Sequence, residues 1–254
     1  MKVEMVSAGT RARDVLWGLK LPGLRMASAP NPVSAPETWG QITTHYDYIK
    51  VGPDSQRVGD CDMETFLGTL GAYWISKFAG IPAPHMQVER AYFKALQDYH
   101  GTQADEGLDL QDGAQFLLDN GILTGSFSTV PMTEADLFAA LQTGPVAVGQ
   151  YAGDWMMPAS LSPVLAEEDE AQVQGAGWLL NCEGGHARAI IGADVHNGKN
   201  IVVIRGSWGN IGYDKACITT ESTWMCLRIS MVNPILFEAT GLGPNWQEWT
   251  MLRG

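Results

Sequence analysis

Two apolar, β-branched runs, Ala187 to Val195 and Asn200 to Trp208, flank the dipeptide Asn197-Gly198. Both residues of that dipeptide accept the positive φ that a tight hairpin turn demands. The pair predicts an antiparallel hairpin, with one or two further loop residues allowed. The hairpin is also marked at both ends. Gly184-Gly185-His186-Ala187 precedes its first strand, and Ile204-Arg205-Gly206-Ser207-Trp208-Gly209 closes its second.

The half of the chain before this hairpin follows a different period. From Cys61, apolar residues fall at Met63, Phe66, Leu67, Leu70, Trp74 and Phe78, one face of a helix of about 18 residues closed by Gly80 and Pro82. Tyr92 to Tyr99 reads as a second helix. Asp109 to Asn120 reads as a third, with Leu110, Ala114, Leu117 and Leu118 inward and Gly121 as its stop. Thr133-Glu134-Ala135-Asp136 opens a fourth, a capping box with Asp in place of Glu. Pro145 to Tyr151 and Trp224 to Ile229 read as further strands. A helical half followed by an antiparallel half predicts an α+β fold with a cleft between two lobes. The expected organisation is an N-terminal extension over 1–38, a domain over 39–232 and a C-terminal extension over 233–254. Within the domain the helical lobe covers about 39–142 and the β lobe about 143–232. Ala27 to Pro36, with three prolines, has the composition of an arm or linker. Glu167 to Glu170 reads as an acidic surface loop.

Charge and cysteine usage narrow the function. A net charge of -12 argues against a nucleic-acid-binding surface. No apolar run approaches the roughly 20 residues of a membrane span. Met1-Lys2-Val3-Glu4 lacks the basic-then-apolar pattern of a signal peptide, which points to a cytoplasmic or particle-associated protein. The four cysteines, Cys61, Cys182, Cys217 and Cys226, have no paired C-x-x-C spacing, which argues against zinc; no metal and no cofactor is expected.

Cys61 and His186 are the residues with chemistry to offer. Cys61 stands at the start of a helix, where backbone N–H groups and the helix dipole favour a thiolate. Taken alone, it reads first as a buried structural cysteine, the common fate of a free thiol. His186, beside two glycines at a strand edge, is placed to reach across a cleft as a base; its alternative is a satisfied turn histidine. Gln56, five residues before Cys61, has an amide that can donate to an oxyanion or simply face solvent. His45, His85, His100 and His196 lie in loop-like or polar contexts with no partner motif.

Four segments in order give a resemblance: the helix opened by Cys61, Gly144-Pro145-Val146-Ala147-Val148, Gly184-Gly185-His186-Ala187, and Ile204-Arg205-Gly206-Ser207-Trp208-Gly209. Over about residues 40–232 the chain resembles the papain-like cysteine peptidase family. The resemblance implies a papain-like fold, with Cys61 as nucleophile, His186 as general base and acid, Gln56 as oxyanion donor and Trp208 as lid over the histidine. Three departures stand out. Gly206 occupies the place of the family's histidine-orienting asparagine, which leaves that role to Ser207, Asn210, a backbone carbonyl or water. Asp60, Asp62 and Glu64 surround the thiol with acidic groups, which raise a thiolate pKa, with Arg57 as an offset. Gln56 is one residue closer to the cysteine than the family's glutamine.

Two functions follow. One is a thiol hydrolase acting on a peptide or a peptidoglycan-like substrate. The other is a catalytically weak or inactive papain-fold module serving in structure or assembly, for example in a phage particle. Its terminal arms, with Trp246 and Trp249 in the second, would then clasp protein neighbours.

Overall fold

A computed structural model of the chain describes residues 57–71, 73, 75, 86–131, 133–152, 184–196, 199–205, 207, 214–217 and 232–250. The N-terminal arm, the acidic loop over 167–170 and the strand expected over 224–229 lie outside them.

Helix α1 (Cys61–Met63) begins at Asp60, whose carbonyl accepts the Glu64 N–H at 2.9 Å. The helix then widens into a π-helix over Glu64–Gly71, a rare form. Thr65 Oγ1 donates back to the Cys61 carbonyl at 2.8 Å. Arg205 braces the widened turns from the sheet. Its Nη1 donates to the Gly68 carbonyl at 2.7 Å and to Thr69 Oγ1 at 2.9 Å.

Helix α2 (Val88–Ala95) also continues as a π turn, Leu96–His100, and stops at Gly101 in the left-handed region. Helix α3 (Leu110–Asp119) starts where the sequence predicts, because the Asp109 carboxylate accepts the Gln111 N–H at 2.8 Å. Helix α4 (Glu134–Thr143) forms behind the predicted box: Thr133 Oγ1 accepts the Asp136 N–H at 3.1 Å and donates to the Asp136 carboxylate.

The strands are β1 (Leu123–Thr129), β2 (Val146–Ala152), β3 (Gly184–His196), β4 (Lys199–Arg205), β5 (Asp214–Cys217) and β6 (Val232–Leu242). They make one antiparallel sheet in the order β1-β6-β2-β3-β4-β5. The hairpin is β3–β4, and His196 pairs with Lys199, so only the two residues Asn197-Gly198 remain to connect the strands.

The two faces of the sheet carry separate cores. On one, Ala147, Ala187, Ala189, Ile235 and Phe237 pack with Cys61, Phe66, Leu70, Tyr92 and Phe116 of the helices. On the other, Val146, Val148, Ile190, Val202 and Ile204 pack with Leu137, Ala140 and Leu141 of α4. Alternate residues of one strand thus serve opposite layers.

The C-terminal segment corrects the sequence expectation. Residues 233–254 were expected as an appended extension, yet Val232–Leu242 lies inside the sheet, paired with β1 on one side and β2 on the other. Proline hides the strand. Pro234 lacks an N–H but sits at the irregularity in the β2–β6 register, where a ladder tolerates it. Its carbonyl still accepts the Val130 N–H at 2.7 Å. Trp249 is likewise internal. It meets Phe116 edge-on at 5.8 Å and lies under the Arg90 guanidinium at 4.4 Å. It therefore belongs to the chain's own core and is not a side chain held out to a neighbour.

Candidate active site

Cys61 is the first residue of α1, and its side chain meets strand β3. The N–H of Ala187 donates to Cys61 Sγ at 3.3 Å. Ala187 is the residue directly after His186, so the fold brings the thiol and the histidine segment together across 126 positions of sequence separation. A backbone N–H aimed at sulfur stabilises the thiolate over the thiol.

His186 stands opposite Gln150 in the β2–β3 register. The pleat puts it on the same side of β3 as Arg188 and Ile190, whereas Ala187 and Ala189 pack in the core that contains Cys61. Both His186 and Cys61 have 0% of their surface exposed. Burial, and secondarily the Arg188 guanidinium, hold the His186 pKa well below its ordinary value. The imidazole is therefore neutral near pH 7, the form that can take a proton from a thiol.

The acidic crowding expected around the sulfur takes a different form. Asp62 is fully buried, and its Oδ2 lies 2.7 Å from where a Cβ on Gly113 would sit, so the carboxyl is turned toward α3 and not toward β3. Among the described residues neither carboxyl oxygen meets a side-chain donor, and only the nearby backbone N–H groups of Asp62 and Met63 favour its charged form. Desolvation, above all, pushes the Asp62 pKa well up, with repulsion from Asp60 and Asp109 adding to it. A carboxyl held toward its neutral form exerts little field on the thiol. Asp60 and Glu64 are also buried, and Glu64 folds back over Gly68 of its own helix. Arg57, the expected offset, is exposed.

Ser207 is buried just beyond the end of β4. Gln56, Gly206 and Trp208 lie outside the described residues. Three contributors escaped the sequence. Arg188 sets the charge beside His186, Arg205 ties β4 to the Cys61 helix, and Asp105 accepts the Gly59 N–H at 2.9 Å. An arginine in an apolar strand is the one signal the first two leave; a lone loop aspartate leaves none. Among the described residues no His, Cys, Asp and Glu side chains group as a metal site, and no helix is long and apolar enough to cross a membrane.

No protein-family model matches the chain, and no curated protein matches it in sequence. Solved structures do match. Xylellain, a cysteine protease from Xylella fastidiosa, aligns with a TM-score of 0.59 at 15% identity over 89% of this chain and 96% of its own. Digestive procathepsin L 3 of the Tenebrio molitor larval midgut aligns with a TM-score of 0.53 at 15% identity, covering 89% of this chain and 78% of that one. A chain from structural work on the mite allergens Blo t 1 and Der p 1 gives 0.56 at 13% identity over 94% and 84%. Helices on an antiparallel sheet, with these neighbours, define the fold as papain-like α+β.

Proposed function

We propose that the chain is a thiol hydrolase that cleaves peptide or amide bonds through Cys61 and His186. The observation that carries the reading is the 3.3 Å contact from the Ala187 N–H to Cys61 Sγ, which seats the sulfur against the residue next to His186. In the reaction, the neutral imidazole, which the pleat sets on the other side of β3 from Ala187, turns toward the sulfur and takes the Cys61 proton, and the sulfur bonds to the substrate carbonyl carbon. His186 then returns the proton to the leaving amine. Water, deprotonated by His186, breaks the thioester, releases the acid and restores the thiol. The Cys61 N–H and the Gln56 amide hold the oxyanion, and Trp208 covers the histidine, both by resemblance. Gly206 offers no side chain to orient the imidazole. Ser207, buried beside it in sequence, is the nearest replacement. Losing the orienting group lowers the rate without abolishing the Cys–His pair. A peptide or a peptidoglycan-like cross-bridge is the substrate class. Because both reacting groups are fully buried, substrate entry requires their cover to open.

That same burial favours a second reading, a papain-fold module kept for structure or assembly. Hydrolysis of a fluorogenic peptide pool and of peptidoglycan separates the two. The hydrolase reading expects turnover by the full chain, reduced about a thousandfold or more in Cys61→Ala and in His186→Ala. Absence of turnover on both substrates, or turnover unchanged by Cys61→Ala, sinks it and leaves the module.

A further inference from the structure

Asp60 is the N-cap residue of α1, but its side chain makes no capping hydrogen bond. A contact from 46 residues away helps fix the backbone ahead of it: Asp105 Oδ1 accepts the Gly59 N–H at 2.9 Å. The same oxygen accepts the Tyr92 hydroxyl at 2.7 Å, and Tyr92 Oη in turn accepts the Gly107 N–H at 2.9 Å. Three segments therefore converge on two side chains: the approach to the nucleophile, helix α2 and the loop ahead of α3.

Each partner suits the arrangement. Tyr92 is fully buried, and burial together with the Asp105 carboxylate keeps its phenol protonated and donating. Asp105 sits in an exposed position, where an unsupported carboxylate would exchange the Gly59 N–H for water. The Tyr92 hydroxyl removes that freedom by holding the oxygen that Gly59 uses. Gly107, at φ 78°, takes the left-handed conformation that turns its own N–H onto Tyr92.

We infer that Tyr92 and Asp105 are positioning residues for the nucleophile, a clamp that fixes the Gly59–Asp60 backbone and through it the direction of the Cys61 sulfur and N–H. The inference rests on the reading of Cys61 as nucleophile. The clamp itself has a readout that needs no turnover. Cys61 is buried, so its alkylation by iodoacetamide reports how often the segment opens.

The test uses the full chain, with alkylation of each of the four cysteines followed separately by mass spectrometry. Asp105→Ala and Tyr92→Phe are expected to raise the Cys61 rate about tenfold, the scale of one lost hydrogen bond to a charged group. Cys182, Cys217 and Cys226 should be unaffected. Asp105→Asn, which keeps an acceptor oxygen, should recover most of the wild-type rate. The double variant Asp105→Ala/Tyr92→Phe should be less than additive, because both changes break one network. Tyr99→Phe is the control, since Tyr99 donates to Asp119 at 2.7 Å in a pair of the same chemistry away from the site. A Cys61 rate within twofold of wild type in both single variants overturns the clamp. So does a parallel rise at all four cysteines, which marks general loosening. Loss of the hydrolase reading shows instead as absent turnover in the wild type, whatever the alkylation pattern.

Discussion

At the scale of single residues, Cys61 and His186 are both fully buried, and the N–H that follows His186 in the chain meets the sulfur. Cys61 and His186 stand out because one opens a helical period and the other opens an apolar strand after two glycines. Their electrostatics depend on which neighbours turn toward them, and spacing carries no such information. Asp62 is the clearest case. Adjacent in sequence, it reads as a charge on the sulfur; in the fold it is turned onto α3 and held toward the neutral form. The sign of its effect on stability follows. The folded pKa is raised above the unfolded value, so the folded state keeps a proton that the unfolded chain gives up from about pH 4 upward. The Asp62 contribution to stability is therefore complete below that pH and declines as pH rises toward the folded pKa. Asp62→Asn should melt several degrees above wild type near neutral pH, with the difference closing toward pH ~4. Thermal melts across that range check it. A constant offset between the two proteins would show that Asp62 does not titrate differently on folding.

Between elements, legibility tracked local chemistry. Helices α3 and α4 announce themselves through Asp109 and Thr133, whose side chains make the caps their positions predict. Strand β1 was missed because Thr124-Gly125-Ser126, after the buried Leu123, is polar and exposed along an edge, with no apolar alternation to read. The π-helical turns after Cys61 were equally hidden, since their apolar residues still fit an ordinary helical stripe. The packing of α1 on α3 depends on the absence of a side chain at Gly113. Gly113→Ala places its Cβ 2.7 Å from Asp62 Oδ2 and close to the Phe66 ring. It should cost about 1–3 kcal/mol, the usual penalty for overfilling a core. In an Asp62→Ala background most of that cost should vanish, because the carboxyl is the nearest obstacle. Denaturant unfolding of the four proteins measures the coupling. An equal penalty in both backgrounds would refute the contact.

For the whole molecule, the order of motifs disclosed the fold class, while the end of the chain misled. Four ordered segments were enough to expect helices against an antiparallel sheet. Nothing in them revealed that residues 232–242 return to the sheet between β1 and β2, because Pro234 and the Gly241-Leu242-Gly243-Pro244 run read as the end of a domain. A protein cut after residue 231 would leave β1 and β2 without their shared partner. It should lack a cooperative melt and native-like near-UV circular dichroism. A chain of that length that folds normally would reduce β6 to an accessory. The position of β6 also sets a schedule. Translation delivers β1, β2 and the hairpin before the strand that joins β1 to β2 leaves the ribosome. Until then the nascent chain carries two bare sheet edges and an open partner for aggregation. Because β6 follows the other described strands in the chain, β1 can join β2 through it only after synthesis has passed residue 242, so a chain stalled or clipped before that point keeps both edges bare.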